Sequence, residues 1–244
     1  MTSHNPPDGA PWVQPHLDAP LSEEIAAFAS PARIALTQSA RQLIDALLTT
    51  EGASDADIEA ARVVLERAVA KLSGKTTYSV GVRTRNERSY SDYVPRSPVI
   101  GSVHPVAPPL TYDWDAERRS LVATGTLPAA FEGPPGYAHG GMLAMLFDEI
   151  IGMGNIAAGY PGMTASLTVH YRRPTPIHRP LTFTALVDHV DGNTIEASGT
   201  CYAGDVMTAR AQGRFVIVTQ ERAEQYFGTE RAPFPQTSRD TPVD

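Results

Sequence analysis

Residues 137–153 read YAHGGMLAMLFDEIIGM and hold two kinds of group that could act on a carbonyl. Gly140 and Gly141 stand where an apolar, helix-periodic stretch begins. The first N–H groups of a helix have no intrahelical acceptor, and the macrodipole concentrates partial positive charge there. Two glycines allow close approach, so a carbonyl oxygen gaining negative charge at that point would sit in an oxyanion hole. A glycine pair also serves simply to turn a chain into a helix, and that plainer role stays open. Asp148 follows about two turns later, inside LFDEI, among apolar neighbours that should face a sheet. A carboxylate on that side is costly unless it has partners or a task. Glu149 competes for the same role. Neighbouring helix positions point about 100° apart, so only one acid can face a site while the other meets solvent or a partner chain. An exposed polar pair is the alternative.

Spacing adds a mechanical constraint. Gly140 and Asp148 are separated by about 12 Å along a helix axis, too far for both to act on one carbonyl carbon. Two copies placed antiparallel across a two-fold axis would bring the helix start of one beside the carboxylate of the other. The spacing therefore predicts an obligate homodimer with two shared sites, and leaves open whether dimers pair into a dimer of dimers.

The elements that must position these groups follow from periodicity. From Leu21 to Leu72 apolar residues recur at helical spacing, among them Ile25, Phe28, Ile34, Leu43, Leu47, Ile58, Leu65 and Leu72, which predicts two or three helices. Ser54 before Asp55 and Asp57 reads as an N-cap with acids in the first turn, and Gly52 and Gly74 punctuate the helix ends. A polar stretch, 75–96, leads to the Pro-rich passage PRSPVIGSVHPVAPPL, which is extended or looped. Residues 111–130 read as a strand pair or one long bent strand, with a turn at 115–118. A helix covers 139–158. Strands follow at about 164–173, 181–191, 194–203 and 206–218, with tight turns at Asp191-Gly192-Asn193 and Ala203-Gly204-Asp205. Hairpins demand antiparallel neighbours, and so apolar a helix must be covered on most sides. The order predicts an α+β fold, an antiparallel sheet wrapped around one helix, with an N-terminal helical extension.

Composition sets bounds. A chain of 244 residues, 42% hydrophobic, can bury a real core, and its net charge of -7 is the wrong sign for a nucleic-acid partner. The one cysteine, Cys201, has no internal disulfide partner and favours a reducing compartment, with the cytoplasm fitting best. There is no export-signal pattern and no apolar run long enough for a membrane span. His104, His170 and His189 lack the clustering of a metal site. The expected organisation is a disordered leader (1–20), a helical extension and linker (21–96), a main domain (97–219) and a flexible tail (220–244).

His139-Gly140-Gly141 with an acid nine positions after the histidine, followed by GMTASLTVHYRRPTPIHRPL and preceded by SPVIGSVHPVAPPL, resembles the PaaI-like branch of the hotdog-fold acyl-CoA thioesterases. The resemblance covers about residues 97–218. It implies a hotdog fold, hydrolysis of acyl-CoA to free acid and CoA without a cofactor, and Gly140 or Gly141 as the oxyanion donor. It also implies Asp148 as base or nucleophile and Thr164 as a partner orienting water near it. His139, immediately before the helix start, suits a structural or substrate-orienting hydrogen bond better than direct proton transfer. Arg172, Arg173, His178 and Arg179 could meet the phosphates of CoA, although exposed arginines at a strand end commonly only solubilise. Two other readings stay open: a hotdog dehydratase or hydratase, which would want a histidine paired with the acid, and a non-catalytic acyl-CoA-binding protein.

Overall fold

Period-two alternation after residue 110 becomes one continuous sheet. The computed structural model of the chain describes residues 29–73, 96–115 and 120–217. The expected leader, the helical pattern over 21–28, the polar stretch 75–95, most of the turn at 115–118 and the C-terminal tail lie outside the described residues. Strands β1 (Thr111–Asp115), β2 (Ser120–Gly125), β3 (Gly162–Tyr171), β4 (Leu181–Asp191), β5 (Thr194–Ala203) and β6 (Val206–Ile217) pair antiparallel throughout, in the order β1-β2-β4-β5-β6-β3. Gly192 (φ 52°) and Gly204 (φ 57°) supply the left-handed backbone that the two-residue hairpin turns need.

Among the described residues two helices precede the sheet and a third lies against it. Helix α1 spans Pro31–Thr49 and α2 spans Asp55–Leu72; α3 spans Gly140–Ala157 and packs across β2 to β6. Leu146, Phe147, Ile150 and Ile151 of α3 are fully buried against Phe183, Ile195 and Phe215 of the sheet, with Phe147 edge-on to Phe183 at 5.8 Å. Gly152 and Gly154 each cost about 1 kcal/mol in a helix interior, while each buried Leu, Ile or Phe contributes about 1.5–3 kcal/mol. Packing therefore decides that this segment is helical. Gly199 makes room for it: a Cβ there would lie 2.9 Å from the Thr184 carbonyl oxygen and 3.2 Å from Phe147. This is the sheet wrapped around one helix, the hotdog arrangement, that the element order predicts.

The N-terminal helices form as their signals indicate. Ser54 and Asp57 close a reciprocal capping box on α2, and Ser30 caps α1 with Pro31 at the first position. Their apolar residues are not drawn into the core. Thr37 is the one buried residue of α1, and α2 has none; Leu47, Ile58, Val64, Val69 and Leu72 are exposed. Among the described residues α2 borders α1 across an open apolar groove lined by Leu43, Leu47, Ile58 and Leu65, while α1 lies on the 97–104 turns and a 3₁₀ turn at Ala129–Phe131.

Candidate active site

The first turn of α3 is built by its neighbours. Phe131 accepts the His139 N–H at 2.7 Å, Ala138 donates to the Thr175 carbonyl at 2.8 Å, and the 131–139 loop folds against itself so tightly that a Cβ on Gly133 would lie 2.8 Å from the His139 Cα. His139 is the N-cap, and its Nδ1 accepts the Gly141 N–H at 3.0 Å. That bond leaves the proton of a neutral ring on Nε2. It also separates the two glycines: the Gly141 N–H is spent on the cap, whereas the Gly140 N–H has no acceptor among the described residues. Of the two expected oxyanion donors, the geometry leaves Gly140 available.

Tyr171, at the end of β3, was not singled out from the sequence. Its hydroxyl donates to the Gly140 carbonyl at 2.7 Å, and its ring edge would stand 3.3 Å from a Cβ on Gly140. It walls one side of the helix start. The only sequence signal was its place at the apolar-to-basic junction HYRRP.

Asp148 lies two turns along and differs from the sheet-facing placement its apolar neighbours suggest. It is exposed, and Thr164 at the start of β3 donates to its Oδ1 at 2.7 Å. Glu149 takes the inward position: it is partly buried and accepts from the hydroxyl of Ser97, itself fully buried, at 3.0 Å. Burial pushes the Tyr112 phenol far above its usual range, and the charge of Glu149 adds in the same direction, so the phenol stays a neutral donor toward the Val99 carbonyl. The roughly 100° between the neighbours thus sends Asp148 to the surface and Glu149 toward the domain. Helix α3 is apolar nearly all round, which is why its sequence pattern could not choose between them.

The exposed face shared by α3 and β3 carries Gly140, Gly141, Asp148, Thr164 and Tyr171, with Asp148 and the glycines at opposite ends. Strand β3 pairs only with β6 among the described residues, leaving its outer edge open. Arg172, Arg173, His178 and Arg179 are all exposed, on the loop that follows β3. This loop is pinned beside the helix start by the Ala138–Thr175 bond and by Ile177 donating to Gly136 at 3.1 Å. The Arg172 and Arg173 N–H groups share the Thr208 carbonyl, at 2.8 and 3.0 Å, and His178 holds a left-handed backbone at φ 54°. The four basic residues therefore belong to the glycine end, remote along α3 from Asp148. Among the described residues no group of three or more His, Cys, Asp or Glu side chains is placed to hold a metal.

A family profile described as thioesterase superfamily matches residues 135–209, the segment carrying this site. The chain is 35% identical over 83 residues to acyl-coenzyme A thioesterase THEM4 of Xenopus laevis, covering 34% of this chain and 37% of that one. It is 28% identical over 94 residues to acyl-coenzyme A thioesterase THEM5 of Homo sapiens, covering 38% of each. These matches span little more than a third of the curated relatives. A crystal structure described as a thioesterase superfamily protein superposes far more completely, at 31% identity and a TM-score of 0.66, covering 77% of this chain and 96% of that one.

Proposed function

The chain belongs to the thioesterase superfamily, and from that premise we propose that it hydrolyses acyl-CoA thioesters to a free acid and CoA. The observation that carries the reading is a Gly140 N–H at a helix start with no acceptor among the described residues, on the same exposed face as an aspartate held by a threonine hydroxyl. The thioester carbonyl oxygen accepts from the Gly140 N–H, which strengthens as negative charge develops. Thr164 occupies Oδ1 of Asp148, leaving Oδ2 to take a proton from water or to attack the carbonyl carbon. In the first route the water oxygen attacks the carbonyl carbon and collapse of the tetrahedral species breaks the C–S bond. The proton held by Asp148 passes to the CoA sulfur and the oxygen stays in the acid. In the second, loss of the CoA thiolate leaves an acyl-aspartyl anhydride, and a water then hydrolyses it, releasing the acid, restoring the Asp148 carboxylate and supplying the proton for the CoA sulfur.

The two groups stand about 12 Å apart on one helix, so each site joins Gly140 of one subunit to Asp148 of another. The open edge of β3 and the adjoining face of α3 supply the surface for that two-fold contact, which also removes a solvent-exposed strand edge. A dimer of dimers is compatible with the same site. Arg172, Arg173, His178 and Arg179 receive the CoA phosphates at the glycine end. No helix among the described residues is long and apolar enough to cross a membrane, and the one cysteine, Cys201, is a buried free thiol; we place the reaction in a reducing compartment such as the cytoplasm.

The test is hydrolysis of an acyl-CoA panel spanning short, long and aromatic chains, read by release of free thiol. Turnover with at least one member is expected. Binding of acyl-CoA without thiol release would make the protein a carrier or sensor. A hydratase needs a histidine paired with the acid, and no observation favours one: Nδ1 of His139 is committed to the cap, nine positions from Asp148.

A further inference from the structure

Thr37, Arg41 and Asp45 follow one another at single-turn spacing on the inner face of α1. Arg41 Nη2 donates to the carbonyls of Gly101 and His104, at 2.9 and 3.1 Å. Oδ1 of Asp45 accepts the Ala129 N–H at 3.0 Å, across 84 residues of sequence. Neither contact stops there. Ala129 opens the 3₁₀ turn whose last residue, Phe131, accepts the N–H of His139, the cap of α3. Gly101 donates to the Ser97 carbonyl at 3.0 Å, and the Ser97 hydroxyl donates to Glu149, the neighbour of Asp148. One helix therefore reaches both ends of the site from behind, through two side chains one turn apart.

Resting on the thioesterase reading above, we propose that Asp45 and Arg41 are positioning residues, Asp45 setting the helix start that presents the Gly140 N–H and Arg41 setting the turns that hold Glu149 and so the angle of Asp148. A carboxylate on a backbone N–H is a charge-assisted bond, stronger than the backbone–backbone bonds of the 131–139 loop. That loop has one such bond of its own, from the Gly136 N–H to Glu132 Oε1 at 2.6 Å, and Asp45 adds the one that ties the loop to α1. The oxyanion donor is a backbone group with no side chain of its own to adjust, so its aim depends on what anchors the loop before it. This assigns work to a helix that the site motif does not explain.

The experiment compares Asp45→Ala, Asp45→Asn and Leu47→Ala in the full chain, the last on the exposed side of the same helix. Asn keeps an oxygen acceptor for the Ala129 N–H, whereas Ala does not. In Asp45→Ala, kcat is expected to fall about tenfold or more with KM within about twofold, because misplacement of a reacting geometry is read in the chemical step. Asp45→Asn recovers most of it and Leu47→Ala is unaffected. Native-state hydrogen exchange at the Ala129 and His139 amides quickens in Asp45→Ala while the amides of β4 and β5 hold. Arg41→Gln probes the other arm by kcat and by exchange at Gly101, should Asp45→Ala not fold. Unchanged kcat and unchanged His139 exchange in Asp45→Ala overturn the proposal, as does equal acceleration of the sheet amides, which would make α1 a general stabiliser. A wild-type chain inactive on every acyl-CoA would overturn the thioesterase reading instead, and the exchange measurements would still decide whether Asp45 sets the helix start.

Discussion

At the residue scale, the division of labour between Asp148 and Glu149 has measurable consequences. Asp148→Asn keeps size and the bond from Thr164 but removes the charge, so turnover is expected to fall by about two orders of magnitude or more with the fold intact. Glu149→Gln can still accept from Ser97 and should be mild. Steady-state kinetics with circular dichroism on both variants decides the matter; a severe loss at Glu149 with a mild one at Asp148 reverses the assignment. Thr164→Val deletes the hydroxyl on Oδ1 while keeping the shape of a β-branched strand residue. It should lower kcat by about tenfold and leave KM near its starting value, and a change confined to KM would move Thr164 from the acid to the substrate. Cys201 gives a pH test. Burial pushes its thiol up to about 11 against the opposing effect of Thr208, so the folded chain keeps a proton that the unfolded chain releases near the ordinary value of about 8.5. Its contribution is undiminished below that pH and is lost as pH rises from there toward 11. The thermal stability of wild type relative to Cys201→Ala should decline across that window; a flat difference would contradict the shielding. The same burial keeps the thiol from contributing background to a thiol-release assay.

At the scale of elements, the loop after β3 and the N-terminus of α3 act as one unit, joined by the Ala138–Thr175 bond and by Tyr171 over Gly140. Arg172 and Arg173 are exposed there, so their attraction for phosphates is screened over about 8 Å at physiological ionic strength. Replacing both with Ala is expected to raise KM for acyl-CoA more than it lowers kcat and to flatten the dependence of KM on salt. A KM and salt profile equal to wild type would leave these arginines as solvating groups at a strand end.

At the scale of the whole molecule, the proposed site exists only between subunits, and mixing inactive chains tests this directly. Asp148→Asn and Gly140→Leu should each be inactive as homodimers. After dissociation and re-mixing in equal amounts, about half the dimers are heterodimers with one intact site of two, so activity should return to about a quarter of wild type. If mass measurement shows exchange and no activity returns, the site lies within one subunit. The intact pair in the heterodimer comprises Gly140 from the Asp148→Asn chain and Asp148 from the Gly140→Leu chain, so no other pairing gives that result.

Local patterns carried most of the element order, because strand alternation, the Asp191-Gly192 and Gly204 turns and the Ser54 cap are decided within a few residues of each other. The same locality makes the His139-Gly140-Gly141 start and the Asp148 spacing readable from the residues alone. What only the tertiary structure decided are relations across long stretches of chain. A helix apolar on nearly every side does not say which of two adjacent acids faces out; the packing of Leu146, Phe147, Ile150 and Ile151 against the sheet does. Nor does the sequence say that the Gly141 N–H goes to the His139 ring, that Tyr171 returns to Gly140 from 31 residues away, or that Asp45 reaches Ala129 across 84. Such contacts depend on where whole elements come to rest. That is set by the burial of many apolar side chains together, and no single position in the sequence records it.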